Sequence, residues 1–199
     1  MSMKRISTLW VKLFFFKTHI MHKLFKKPAD VVYGKRFSSR TFTPFILRLR
    51  GKVKMGNEVK LGKGISLQVG EESGELSIGN HVRIAGNDYI GVFKKISIGN
   101  DVMIAEFCTI RDNDHGIAAD RTIASQPAVS APISIGNDVW IGAGCAILKG
   151  AVIPDGCVIG AHSLVLQKSK LVPYVIYAGS PVRFIRMRTP SGQDQSHPE

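Results

Sequence analysis

Cysteine is scarce in this sequence, three residues in 199. That is too few for the disulfide framework of a secreted domain and fits a reducing compartment, the cytoplasm. Long hydrophobic runs are missing too. The most apolar stretch, Leu9 to Phe16, is interrupted by Lys12 and falls short of the ~20 apolar residues that span a bilayer. No small-residue cleavage site follows it, as a signal peptide would need. Acidic residues are nearly absent from the first third: residues 1–60 hold 15 Lys and Arg against Asp30 and Glu58, whereas residues 61–199 hold 12 against 13. The net charge of +12 is therefore an N-terminal property. No nucleic-acid-binding motif accompanies the basic segment, so nucleic acid is not expected as a partner.

Residues 1–27 mix Ile6, Leu9, Trp10, Leu13, Phe14 and Phe16 with Lys4, Arg5, Lys12, Lys17, Lys23, Lys26 and Lys27. They read as a basic amphipathic helix that ends near Pro28. Two readings stay open. The helix lies on an anionic membrane surface at the inner face, each Lys or Arg adding about 1 kcal/mol, or its apolar face packs on the body or another subunit. Thr41 to Arg50 reads as an extended lead-in.

What the sequence has in abundance is a period. Ile135, Ile141, Ile147, Ile153, Ile159 and Val165 recur every six residues, which matches neither the 3.6 of a helix nor the 2 of a strand. A step of six suits a chain that makes a short strand and a turn and then repeats, the signature of a parallel β-helix. Gly often follows the aliphatic residue (Gly136, Gly142, Gly160), and the fourth place after it is small or β-branched: Val139, Cys145, Ala151, Cys157, Ser163. A narrow prism leaves room only for small residues beside the aliphatic one on its axis. Cys108, Cys145 and Cys157 all hold this fourth place and read as small buried hydrophobes, with no metal site expected.

The register begins at Met55 and falls into threes: 55/61/67, 78/84/90, 98/104/110, 135/141/147 and 153/159/165. Three steps close one triangular coil, so the sequence predicts an all-β parallel β-helix of about five coils. Insertions follow the first three. The third is long: Ile110 to Ile135 is a step of 25, 19 more than register needs. Because both flanks stay in phase, residues 111–134 must leave the prism as a loop, and long loops on rigid scaffolds often carry function.

That loop opens Arg111-Asp112-Asn113-Asp114-His115-Gly116; the chain re-enters with Val139-Trp140-Ile141-Gly142 and ends with Ala178-Gly179-Ser180-Pro181-Val182-Arg183-Phe184-Ile185. Repeats, loop histidine, re-entry and closing signature together resemble the hexapeptide-repeat acyltransferases, nearest to the maltose, galactoside and polysaccharide O-acetyltransferases, over about residues 53–187. The resemblance implies a left-handed β-helix, a homotrimer with sites between neighbouring subunits, acetyl-CoA as donor and a saccharide acceptor. The N-terminal helix and Leu171 to Arg188 are candidates to cover the open ends of the stack.

Acetyl transfer from a thioester to a sugar hydroxyl needs a base for the hydroxyl proton, and imidazole titrates in the required range. His115 is assigned that role, with Asp112 or Asp114 to orient it. The tetrahedral oxyanion needs a donor, for which the family's turn at Gly142 and Ala143 offers a backbone amide. By family position, Ala143 and Ala161 line the pantetheine arm, while Lys168, Arg183 and Arg186 lie near the coenzyme A phosphates. Trp140 lines the acceptor or coenzyme A groove or packs at a subunit seam. Asn87 and Tyr89, where Gly86 to Val92 departs from strict repeat, are acceptor-site candidates. His81 and His162 read as structural turn residues. With His115 they lack the three-histidine spacing of the zinc carbonic anhydrases built on a similar prism. The rival readings are a non-catalytic trimeric scaffold or membrane-surface module, and N-acetylation of an amino sugar or antibiotic. The expected divisions are a basic N-terminal segment (1–52), the β-helix domain (53–187) and a flexible tail (188–199).

Overall fold

A computed structural model describes residues 31–36, 38–39, 48–70 and 73–190. The expected helix at residues 1–27 lies outside them. Three parallel sheets form the faces of a triangular prism, each strand pairing with the strand one coil before and one coil after it. Sheet A starts at Val31–Tyr33 and ends at Val152–Ile153; sheet B runs from Ser38–Ser39 to Arg183–Met187; sheet C runs from Arg48–Leu49 to Leu164–Val165. This is the parallel β-helix read from the six-residue period.

The ladders hold the sequence triads in register. On sheet A, Met55, Ile78, Ile98, Ile135 and Ile153 stack one on another. Leu61, Ile84, Ile104, Ile141 and Ile159 do so on sheet B, and Leu67, Ile90, Ile110, Ile147 and Val165 on sheet C. All are buried, as are the small residues at the fourth place. The three thiols stay free and inside the prism, where Cys108 donates to the Gly142 carbonyl, Cys145 to Gly160 and Cys157 to Val172.

The stack is longer than the period suggested. Val31–Tyr33, Ser38–Ser39 and Arg48–Leu49 pair in parallel with the strands of the first triad, so one more set of three strands precedes it. Ser39 there takes the register place of Leu61, which hides the repeat from an aliphatic count. At the other end Val175–Ala178 adds to sheet B with Tyr177 in the column of Ile159, and Arg183–Met187 turns back antiparallel along its edge. Leu171 and Val182 pack against the core, so this segment closes the prism as expected. Arg188 belongs to that closure: its amide donates to the Tyr174 carbonyl and its guanidinium pairs with Asp138 at 2.8 Å.

The corner between sheets A and B carries a device the sequence reading missed. Asn57, Asn80, Asn100, Asn137 and Asp155 sit two residues after the sheet A aliphatics, and the side-chain oxygen of each accepts the amide of the residue one coil earlier at 2.7–2.9 Å. The next residue in several coils is left-handed: Glu58, His81, Asp101 and Asp138 have φ of 52–58°. The amide ladder thus replaces the backbone ladder where the chain turns.

The strands are two to five residues long and each face is shared, so truncating one core aliphatic leaves a cavity that its neighbours cannot fill. Ile147→Ala, at a site with no exposed surface, is expected to cost ~2–5 kcal/mol. Val152→Ala, on the outer face at 55% exposure, is expected to stay within about 0.5 kcal/mol. Thermal unfolding of the pair checks this; equal losses would contradict the inward and outward assignment.

Candidate functional site

The excursion between Ile110 and Ile135 is an ordered arm. Asn113–His115 and Ala128–Ser130 form an antiparallel pair, with a short 3-10 turn at Ile123–Ser125. Gln126 holds the tip: its side-chain oxygen accepts the Ala118 amide at 2.7 Å and its nitrogen donates to the Ala118 carbonyl at 2.9 Å. At the root, the Ala131 amide donates to the Asp112 carbonyl and the Gly150 amide to the Ala131 carbonyl. The arm therefore presents His115, exposed, at a set place beside the corner between sheets C and A.

Neither neighbouring aspartate orients that histidine. Asp112 is fully buried and its carboxylate accepts the amides of Phe93, Lys94 and Lys95 at 2.6–2.7 Å. It anchors the two-residue insertion of the preceding coil. Asp114 pairs with Lys149 at 3.3 Å, and adjacent residues on a strand point to opposite sides, so it faces away from His115. Both assignments are corrected: these carboxylates tie the arm to the prism.

The donor-side residues gather elsewhere. Trp140 and Arg186 lie in one cross-strand row on the outer face of sheet B, with Val158 and Ile176 between them. Trp140 is half exposed. Gly142 and Gly160 lie at the edge of that sheet nearest sheet C, followed at the corner by Ala143 and Ala161. A Cβ at Gly142 would stand 2.7 Å from the Ala161 amide nitrogen, so only Gly fits there. The Gly142 amide cannot serve as an oxyanion donor, because it donates to the Ile159 carbonyl at 2.8 Å. The Ala143 amide has no such partner among the described residues and keeps the role open. Arg183 shares the edge strand with Arg186 and is exposed. Lys168 is exposed but follows sheet C, on the corner that launches the arm, apart from the other donor-side residues.

Asn87 and Tyr89 flank a residue the sequence reading passed over. Asn87 is exposed with φ of 55°, and Tyr89 is partly buried on the outer face of sheet C. Between them Asp88 is buried and accepts the Gly86 amide at 2.9 Å and the Cys108 amide at 2.7 Å. Burial pushes its carboxyl up to about 6, against the pull of the two amides and with a push from the Glu106 carboxylate. Its signal was legible: Asp88 holds the fourth place after Ile84, where the same corner of the other coils carries the uncharged Ile65, Cys108, Cys145 and Ser163.

Because the folded state raises this pKa above its ordinary 3.8, the stability it contributes is full below about pH 4 and is lost as pH rises through about 6. The stability of wild type relative to Asp88→Asn is therefore expected to fall between pH 4 and pH 7, by up to ~3 kcal/mol for a two-unit shift. Chemical denaturation across that range measures it; a constant difference would contradict the assignment.

The comparisons with known proteins agree with this architecture. A family described as bacterial transferase hexapeptide (six repeats) matches residues 132–167. A Mycobacterium tuberculosis protein named as an acetyltransferase is 32% identical over 139 residues, covering 69% of this chain and 45% of its own length. An Escherichia coli K12 protein named for lipopolysaccharide biosynthesis O-acetyl transfer is 28% identical over 153 residues, covering 72% of this chain and 76% of its own. The chain thus spans less than half of the first of these relatives. An N-acyltransferase from Bacillus cereus, solved with dTDP and 3-hydroxybutyryl-CoA, superposes with a TM-score of 0.64 at 22% identity, covering 85% of this chain and 88% of that one. That likeness shows the fold, a left-handed parallel β-helix. Stacked six-residue steps, a matching family and relatives in two bacteria agree: residues 132–167 carry the bacterial transferase hexapeptide repeat, and the coils before and after them continue the same fold.

Proposed function

We propose that the protein transfers an acetyl group from acetyl-CoA to a hydroxyl of a saccharide, with His115 as general base. The observation that carries the reading is the placement of His115: an exposed imidazole on an arm fixed at its root by Asp112 and by the Asp114–Lys149 pair. Such an arm holds a base in place without covering it. The names of the two bacterial relatives support acetyl transfer. The residues present also suit coenzyme A: Gly142, Ala143, Gly160 and Ala161 put no side chain larger than a methyl in the way of an extended arm, and Arg183 and Arg186 on the edge strand offer guanidinium forks to phosphates.

In the reaction, the saccharide oxygen forms a bond to the thioester carbonyl carbon while its proton moves to the His115 imidazole. The tetrahedral intermediate then breaks its carbon–sulfur bond, and the proton passes to the departing thiolate. The free Ala143 amide is the candidate donor to the oxyanion. His115→Ala is expected to lower kcat by ~10²–10⁴-fold with coenzyme A binding kept, read as thiol release from acetyl-CoA against a panel of saccharides. Undiminished release would remove His115 from the mechanism and favour the scaffold reading.

Within one chain the base and the donor residues do not meet. His115 leaves from the corner after sheet C, while Ala143 and Ala161 lie on the corner before it, and a strand of three residues separates those corners by about 10 Å. A second copy resolves the separation, as in a homotrimer whose sites form between neighbouring subunits. Mixing His115→Ala with Ala161→Trp chains, each inactive alone, is then expected to restore activity through sites that take one wild-type contribution from each subunit. If co-assembled chains stay inactive, the site lies within one protomer.

A further inference from the structure

One side chain near the proposed acceptor site has a charge and no counter-charge among the described residues. Arg111 ends its strand on the outer face of sheet C, and its Nε is buried with no hydrogen-bond partner among the described residues. Leaving a charged donor unpaired in such a place is costly. The nearest carboxylates in sequence are both engaged, Asp112 by three amides and Asp114 by Lys149.

The surface beside Arg111 is shaped to receive something. Across the ladder its neighbours are Leu148 on one side and Gly91 on the other, and Gln68 follows Gly91. The row thus runs Gln68, Gly91, Arg111, Leu148, with a missing side chain in the middle. Tyr89 fills that gap: a Cβ at Gly91 would lie 2.7 Å from its ring edge and 2.8 Å from its hydroxyl oxygen. The phenol therefore lies along the sheet over Gly91, between Gln68 and Arg111, and its hydroxyl donates to the Gln68 side-chain oxygen at 3.4 Å. A flat aromatic floor, a side-chain amide and an unmatched guanidinium converge at the root of the arm that bears His115.

We infer that Arg111, with Tyr89 and Gln68, forms an acceptor subsite that reads an oxyanion, so that the saccharide acceptor carries a phosphate or a carboxylate near the ring presented to His115. The guanidinium fork matches either group, and the tyrosine ring gives the sugar an apolar face on which to lie. The inference rests on the acetyl-transfer reading for the word acceptor; the anion site itself rests on Arg111 and its row.

The test is isothermal titration of the full chain with acetyl-CoA, glucose 1-phosphate, galacturonate and glucose, for wild type, Arg111→Gln, Arg111→Lys and Tyr89→Phe. Wild type is expected to bind one of the two anionic probes at least ~10-fold more tightly than glucose, the scale of one charge-assisted contact. Glucose 1-phosphate would name a phosphate, galacturonate a carboxylate. Arg111→Gln loses that preference and Arg111→Lys retains part of it. Tyr89→Phe keeps the floor and removes only the hydroxyl, testing the subsite should an Arg111 variant fail to fold; it weakens the anionic probe by a few-fold. Acetyl-CoA binding is expected to be the same in every variant. The inference is overturned if wild type binds neither anion more tightly than glucose, or if Arg111→Gln keeps the preference. An anion preference without acetyl-CoA binding would instead sink the acetyl-transfer reading and leave the anion site standing.

Discussion

Every feature of this chain depends on the in-register stacking of aliphatic side chains along the prism axis. A coil buries its inward residues only against the coils above and below it, so each column must stay continuous. That constraint leaves the corners as the only places where residues can be added. The insertions before Glu75 and Lys95 and the 111–134 arm all lie between a sheet C strand and the next sheet A strand. The arm is thus a consequence of the stack: an addition of 19 residues has to leave at a corner and return in phase.

At the corners the backbone ladder is interrupted, and polar side chains take its place. The Asn57 to Asp155 ladder serves the corner between sheets A and B, Asp88 that between B and C, and Asp112 that between C and A. Each is an acceptor turned toward amides that no carbonyl reaches. This explains why two of the polar residues around the proposed site, Asp88 and Asp112, have no free chemistry. Among the described residues, His115, Arg183, half-buried Arg186, Trp140, Asn87 and Lys168 carry no such task, and neither does Arg111, whose Nε has no partner; these are available to ligands.

The proposed reaction follows the same division of labour. A rigid prism cannot fold one corner over another, so the proposed base on one corner and the proposed thioester site on the next would meet only through a second copy. In that proposal the arm supplies the reach, and the outer face of sheet C the surface for the acceptor.

The coil triads, the phase-preserving excursion and His115 at its mouth were legible in the residues, because burial on a six-residue step is local and repeats itself in the sequence. The first coil was not, since Ser39 stands in an aliphatic column. Nor were the tasks of Asp112, Asp114 and Gly142, because an acidic residue beside a histidine has the same letters whether it faces the imidazole, three amides or a lysine one coil on. Lys168 was grouped by family spacing and lies on another corner. By itself the sequence determined the period, and with it the β-helix and the exit of the arm, through the single requirement that apolar residues face one axis. Only the tertiary structure decided which polar groups are spent on the backbone and which remain free, because that depends on partners 17 to 37 residues away, brought together by stacking.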